Sequence, residues 1–422
     1  MSGNRDDIAG PQSGADAPSW LIRTAGSAAP VRRDGDRVSM FEIFFDLVFV
    51  FALMRVIELM DAQATSVGLG RGLLLLLLLW WAWCAFIWLG NRVRLDRGLV
   101  VVAILVAMGA LFVAALVIPY AWSAHSGWLS PPLVLALAFA VVRSSYVSTF
   151  LWSSRGDARL RRQVLIDAIP QTVSSALLVV GAVLGGDLQA ACWAVAFGLD
   201  FGVGWLFSRY SGWRVASPAH FVERHGLVLI IALGETVFSS GAGLESSTPG
   251  VTVDGLSILV AVLAFVVVVG LWWTYFRGPS ADAQQVLVQA TPRRRPALAR
   301  DGYTLGHLPL VAGVVYVALG IRLMLEDVVA DPASPARGIT VVALSGGLAC
   351  YLLGLGLFAR ILIGRWSRPP IIAGVAALVL GTVAAAVPSL VTLLLVTALA
   401  VTAAITTAAS TTPHRSAPAD GR

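Results

Sequence analysis

Apolar blocks of about twenty residues, separated by short polar stretches, restrict the folds open to this chain more than any other feature. A helix needs about twenty consecutive apolar residues to cross the hydrocarbon core of a bilayer. Of the 422 residues, 57% are hydrophobic and 13% are charged, and the mean hydropathy is +0.81. A soluble domain is about one quarter charged. We therefore predict an all-α polytopic membrane protein.

The apolar blocks predict about twelve transmembrane helices. The expected spans are residues 41–60, 72–90, 98–118, 132–152, 164–184, 188–207, 225–243, 254–276, 303–323, 338–359, 369–387 and 389–408.

The charges of the loops indicate the orientation of these spans. An arginine-rich stretch precedes the first span and follows every even-numbered one, whereas the other loops are short, neutral or acidic. Arginine-rich loops face the cytoplasm by the positive-inside rule. We expect a multi-pass protein of the cell membrane with both termini cytoplasmic. Residues 1–37 and 411–422 are predicted to be tails, the first disordered, and the loop 278–300 a flexible connector.

Two aromatic motifs hint at an internal duplication. The second span holds Leu79-Trp80-Trp81-Ala82-Trp83, and the eighth holds Leu271-Trp272-Trp273-Thr274-Tyr275. They predict two six-helix repeats in parallel orientation, at residues 38–210 and 211–410. Aromatic belts at membrane interfaces are the alternative source of such a match.

The composition also excludes several kinds of chemistry. The chain has no lysine, and all 30 basic residues are arginines. It can therefore form neither a Walker A phosphate loop nor a Schiff base. It has no hydrolase or zinc-protease motif, and its cysteines show no metal-binding spacing. We expect no enzyme activity, cofactor, metal or nucleic-acid partner, and the lipid bilayer as the main partner.

Two carboxylates lie at the start of the first span. Glu42 and Asp46 are four residues apart, so they share one face of the helix near its cytoplasmic end. Ionisable groups inside a membrane are costly and are usually functional. The pair could bind a cation or accept a proton. It could equally pair with an arginine of another span or cap the helix. Further along the same helix, Arg55 and Glu58 are spaced for a local ion pair.

A mid-span arginine needs an acidic partner. Arg143 lies in the middle of the fourth span, and a buried guanidinium there should meet a carboxylate. The candidates are Asp46, Asp167, Asp200 and Glu235, of which Asp200 lies within the sixth span.

The seventh and ninth spans hold the remaining polar candidates. His220, Glu223 and Arg224 precede the seventh span, His225 opens it, and Glu235 is central to it. The spacing is not that of a zinc motif, because His225 lies off the face shared by the other candidate ligands, so a polar network at the helix entry is favoured.

In the ninth span, His307 precedes Pro309. It is either a proton-linked or ligand-contacting group or a buried, hydrogen-bonded histidine.

Several of these motifs resemble, in order, the signature of the bacterial low temperature requirement A family. They are the opening from Arg37 to Ala52, His220-x-x-Glu-Arg-His-Gly, Leu233-Gly-Glu235, Leu271-Trp-Trp-x-Tyr-Phe and His307-Leu-Pro-Leu. The likeness covers about residues 35–410 and implies a polytopic membrane protein. The family is named for growth in the cold and has no established molecular activity. An acid often follows Tyr-Phe in such proteins, whereas this chain has Arg277.

The first span alone is similar to a motif of a second family. Phe44-x-Asp46-x-Val48-Phe49 resembles the Phe-Ser-Asp motif of potassium channels with six-helix repeats, although Phe45 replaces the serine. That likeness implies a homodimer around one axis.

Three functional hypotheses follow. We favour a transporter- or channel-type protein in which Asp46, Arg143, Glu223 and Glu235 form or border a site for a small ion or solute. The alternatives are a non-transporting scaffold or sensor linked to growth in the cold, and a cation channel related to the potassium channels.

Overall fold

The computed structural model describes residues 32–33, 35–123, 129–210, 214–246 and 255–410. Most of these residues lie in helices, and no β-strand occurs among them beyond isolated bridge residues. The helices are α1 (Met40–Ala62), α2 (Ser66–Arg92), α3 (Leu99–Val117), α4 (Pro131–Ser153), α5 (Ala158–Leu184), α6 (Gly186–Tyr210), α7 (Pro218–Ser246), α8 (Gly255–Phe276), α9 (Ser280–Gln289), α10 (Arg295–Leu298), α11 (Leu308–Ala330), α12 (Gly338–Ile363), α13 (Arg368–Val383) and α14 (Ser389–Ser410).

Twelve of these helices correspond to the twelve predicted spans, which confirms the all-α membrane fold. In the described part of the chain, nine segments are long and apolar enough to cross a bilayer. The three long helices outside that set are α1, α6 and α7. Helices α1 and α7 carry most of the charged candidates named above. Charged residues that mark a polar site also lower the hydropathy of the helix that holds them.

Contacts between loops place alternate helix ends together. Arg32 N donates to the Arg92 carbonyl (3.0 Å), and Asn91 Nδ2 donates to the Ser217 carbonyl (2.6 Å). These contacts join the N-terminal segment, the last residues of α2 and the α6–α7 loop at the arginine-rich end.

The opposite end has its own set of contacts. Arg322 pairs with Asp61 (2.9 Å), and Gln189 Nε2 donates to the Ala121 carbonyl (2.6 Å). The chain therefore crosses from one end to the other with each long helix, as the alternation of loop charge predicts.

The order of helix neighbours occurs twice. Helix α1 contacts α2 and α3, α3 contacts α4, α4 contacts α5, α5 contacts α6, and α6 returns to α2. In the same order, α7 contacts α8 and α11, α11 contacts α12, α12 contacts α13, α13 contacts α14, and α14 returns to α8. The division into two six-helix halves stays a prediction, and this repeated order favours it.

Helices α11 and α12 approach each other closely through glycines. A Cβ atom at Gly347 would lie 2.7 Å from Val317 N, and one at Gly313 would lie 2.6 Å from Tyr351 N. Small residues allow backbones to approach where apolar burial gives no preference between lipid and protein. At this contact α11 and α12 therefore pack backbone against backbone.

The prediction of a flexible connector at residues 278–300 is wrong. Helix α9 occupies Ser280–Gln289 and packs on α7, α8 and α12. Its Ala283 and Leu287 are four residues apart and fully buried on one face. The four-residue helix α10 leads into a π-helical turn at Ala299–Leu305. The arginines and prolines of this stretch concealed the short apolar face.

Candidate functional site

The acids of α1 lie in a cluster of buried charges at the arginine-rich end. We call Arg32, Glu42, Asp46, His220 and Arg224 the buried charge cluster; each is at most 4% exposed. Ser39 caps α1, and the Glu42 carboxylate accepts from the Ser39 amide in return, which completes a capping box. Helix capping thus fixes Glu42 at the place where α7 meets α1.

Glu42 lies within ion-pair distance of three side chains, one from the N-terminal segment and two from α7. Its Oε1 lies 2.7 Å from the Arg32 guanidinium, 3.0 Å from His220 Nε2 and 3.3 Å from Arg224 Nη1. Arg32 also donates through Nε to the Gly90 carbonyl (2.6 Å), at the end of α2. Arg32 is therefore buried, although the sequence placed it in the N-terminal tail. Residues 1–31 of that tail and the tail at 411–422 lie outside the described residues.

Asp46 is held by α2 and α7 together. Its Oδ1 accepts from Trp83 Nε1 (2.8 Å) and from Arg224 Nη2 (2.5 Å). The two carboxylates of α1 thus share one guanidinium, which is fully buried. The pairing of Asp46 with Arg224 separates it from Arg143, with which we expected it to share a site.

Arg143 pairs with Asp200, one of its four candidate partners. Arg143 Nη2 lies 2.5 Å from Asp200 Oδ2, and Nη1 donates to Ser174 Oγ (2.7 Å). Ser174 Oγ in turn donates to Asp200 Oδ2 (2.9 Å). Helices α4, α5 and α6 therefore meet at one polar point.

A cavity of about 140 Å³ adjoins this ion pair. It lies between α2, α4, α5, α6 and the segment from Pro296 to Leu305. Its walls include aromatic side chains of α2 and α4 and four charged side chains: Trp81, Trp88, Tyr146, Arg143, Asp167, Asp200 and Arg300.

Helix α2 separates the cavity from the buried charge cluster. Trp83 and Trp80 face the cluster and the buried His225, whose ring lies 5.1 Å from that of Trp83. Trp81 and Cys84 lie on the other face and line the cavity. The tryptophan motif therefore serves two sites, whereas the sequence suggested only a repeat or an interface belt.

The other candidates lie apart from both sites. Glu223 is exposed and accepts from the Val38 amide (3.3 Å). Glu235 is partly buried about three turns beyond Arg224 on α7 and is not among the residues that line the cavity. His220 and Glu223 therefore do not converge with His225 on a common ligand position.

The two buried histidines belong to an aromatic group. His225 Nδ1 lies 2.8 Å from the Phe221 carbonyl, and its ring lies 5.1 Å from that of His307. His307 Nε2 lies 2.8 Å from the Tyr275 hydroxyl, and its ring stacks on Tyr303. This arrangement agrees with the hydrogen-bonded alternative for His307.

Sequence reasoning missed several residues of these sites, and Arg32 and Asp167 show why. Arg32 lies in a stretch rich in glycine, alanine and charge, and nothing local marks it as buried. Asp167 was considered only as a partner for Arg143, although it lines the cavity in its own right. The signal that could have identified it was its position inside the predicted span 164–184, beside Pro170 and Gln171.

Comparisons with known proteins agree with the motifs. The family model of the bacterial low temperature requirement A protein matches residues 37–405. An uncharacterized protein of Rhizobium meliloti (strain 1021) is 28% identical over 339 residues, which cover 78% of each chain. No solved structure matches the chain, and the likeness of α1 to potassium channels finds no support in these matches. The chain belongs to the bacterial low temperature requirement A family.

Proposed function

We propose that this protein is a membrane transport protein and that its solute site is the cavity beside Arg143 and Asp200. The observation that carries the proposal is a buried ion pair that lines a cavity inside an apolar helical bundle. Charged side chains within membrane helices are costly, and those that face a cavity typically mark a substrate or ion path. The scaffold alternative predicts charges packed on all sides.

The position of the cavity in the bundle also supports this proposal. It lies among α2, α4, α5 and α6, and the short elements after α9 close part of its wall. Transporter sites typically lie near the bilayer midplane, where broken or short helices line the site. Arg143 is in the middle of α4, and our proposal puts it near that depth.

The proposal also gives the protein an orientation in the membrane. The arginine-rich end of the bundle faces the cytoplasm of a bacterial cell, with both termini on that side. Asp46 and Glu223 are not part of the solute site, because α2 separates the former from the cavity and the latter is exposed. The homodimer stays a prediction.

Isotope uptake into proteoliposomes tests the proposal. Vesicles preloaded with an unlabelled solute receive the same solute in labelled form, with rubidium, sodium, phosphate and benzyltrimethylammonium as probes. We expect at least one probe to enter faster than into protein-free vesicles. The double variant R143M/D200L should slow its entry at least tenfold. Exchange of both partners for apolar residues of similar size often leaves stability nearly unchanged.

The ion pair of α1 supplies a matched control. The variant R55M/E58L removes a neighbouring arginine–glutamate pair that does not line the cavity, and uptake should continue at the wild-type rate. If no probe enters faster than into empty vesicles, or if R143M/D200L folds and transports normally, the proposed function is wrong. Loss of thermal stability in R143M/D200L with no uptake by the wild type would support the scaffold alternative.

A further inference from the structure

We propose that the cavity binds an organic cation, a protonated amine attached to an apolar group about the size of a benzene ring. This inference rests on the proposed function, since it names the class of solute for that site. Three features carry it: the charges that line the cavity, the hydrogen-bonding groups that have no partner, and the aromatic walls.

Of the four charged side chains that line the cavity, one carboxylate has no partner of opposite charge among the described residues. Arg143 is neutralised by Asp200, and Arg300 Nε lies 2.6 Å from Asp301 Oδ1. Asp167 has no ion pair with any described residue. A ligand in this cavity therefore meets an uncompensated negative charge.

A buried hydrogen-bond acceptor beside the cavity also favours a ligand that carries donors. Asp200 is 3% exposed, and its Oδ1 atom is buried with no hydrogen-bond partner in the described part of the chain. A buried acceptor without a donor costs free energy. Arg143 Nη1, in contrast, already donates to Ser174 and Ser175. The cavity thus adjoins a buried carboxylate oxygen that lacks a donor, and an ammonium group supplies one.

An anion fits these surroundings poorly. It would lie beside the carboxylates of Asp167 and Asp200, and it would have to take Arg143 from its present partner. A neutral solute would leave the Asp167 charge without compensation in a site with largely apolar walls.

The walls indicate the rest of the ligand. Trp81 and Trp88 of α2 and Tyr146 of α4 line the cavity. Aromatic faces attract cations, and the attraction grows when the cation is desolvated. An apolar cavity of about 150 Å³ holds a benzene-sized molecule, and this one measures about 140 Å³.

Calorimetric titration of the purified full-length chain in detergent compares three ligands of one shape. They are benzylamine, which is protonated at neutral pH, benzyl alcohol, which is neutral, and benzoate, which is anionic. We expect benzylamine to bind at least tenfold more tightly than benzyl alcohol, and benzoate to bind more weakly than either. Detergent alone gives the blank for partition of the ligands into micelles.

Substitutions locate the charge that is responsible. Asp167→Asn should weaken benzylamine binding at least tenfold and leave benzyl alcohol binding unchanged, whereas Asp167→Glu should retain the preference for the cation. Asp187→Asn is the matched control, because Asp187 is exposed at the start of α6 and should have no effect. If Asp167→Asn does not fold, the comparison of the three ligands on the wild-type protein still decides the charge preference.

Several results would overturn the inference. They are equal binding of benzylamine and benzyl alcohol, tighter binding of benzoate, and an Asp167→Asn variant that keeps the cation preference. Benzylamine binding without uptake of any probe would refute transport and leave the inference in place. Uptake that depends on Arg143 and Asp200, without a preference for the amine, would refute the inference alone.

Discussion

Two buried arginines of this protein form similar ion pairs in different surroundings. Arg224 lies between Glu42 and Asp46, and its side chain is 0% exposed. Arg143 pairs with Asp200, and its side chain is 10% exposed at the edge of a cavity. The first arginine joins α1 to α7, with Arg32 and Trp83 completing the contact. The second leaves room beside it.

This difference separates a structural charge from a candidate binding charge. The two carboxylates and two guanidiniums of the buried charge cluster balance each other, and they hold the N-terminal segment, α1, α2 and α7 together. The residues around the cavity include Asp167, which has no ion pair in the described chain. A buried charge that is neutralised by its packed neighbours has a use in the fold itself, whereas a carboxylate without an ion pair at a cavity is a candidate for binding a ligand.

The largest expected effect is that of Arg224→Leu. The substitution leaves two carboxylates buried beside each other without the guanidinium that they share, and breaking such a buried pair costs about 3–5 kcal/mol. Unfolding of the purified protein in mixed micelles of sodium dodecyl sulfate and dodecyl maltoside measures the free energy.

Arg365→Leu is the control for that prediction. Arg365 is 71% exposed and lies 3.8 Å from Asp282, so its loss should change the free energy of unfolding by at most about 0.5 kcal/mol. Similar losses for the two variants would mean that the buried charge cluster does not hold the helices together.

An intermediate effect distinguishes two tryptophans of α2. Trp83→Phe removes the hydrogen bond to Asp46, and a bond to a charged group is worth about 1.5–3 kcal/mol. Trp81→Phe removes no hydrogen bond that the structure shows, and it widens the cavity. The temperature of thermal unfolding should therefore be lowered more by Trp83→Phe. Benzylamine binding should be weakened more by Trp81→Phe. The opposite ranking in either assay would contradict the separation of the two sites by α2.

The long helices could be predicted from sequence because the membrane allows few alternatives. A spanning segment must satisfy its backbone hydrogen bonds internally, so each apolar block of about twenty residues becomes a helix. The charges of the loops then indicated that successive helices cross the membrane in alternate directions. The short helix α9 could not be predicted in this way, since only Ala283 and Leu287 mark its buried face, within a stretch rich in arginine and proline.

The pairing of charges could be predicted only in part. The depth of Arg143 showed that it needs an acid, but four acids were available, and the choice of Asp200 depends on α4 and α6 both meeting α5. The spacing of Glu42 and Asp46 placed them on one face, as the structure shows. The burial of Arg32 depends on contacts with Gly90 and Arg92, which are distant in sequence.

The smallest expected effect belongs to the ion pair between Arg55 and Glu58. Both side chains belong to one face of α1, and Glu58 is 37% exposed. Such local pairs stabilise a helix by about 0.2–0.5 kcal/mol. Glu58→Gln should therefore lower the free energy of unfolding by no more than this amount, measured in the same mixed micelles as Arg224→Leu.

Both substitutions remove one charge from an ion pair in a long helix of the bundle. If Glu58→Gln proved as costly as Arg224→Leu, the loss of stability would follow the number of charges removed. The distinction between buried and solvent-exposed ion pairs would then fail. A small loss for Glu58→Gln beside a large one for Arg224→Leu would mean that burial and shared partners set the value of each charge.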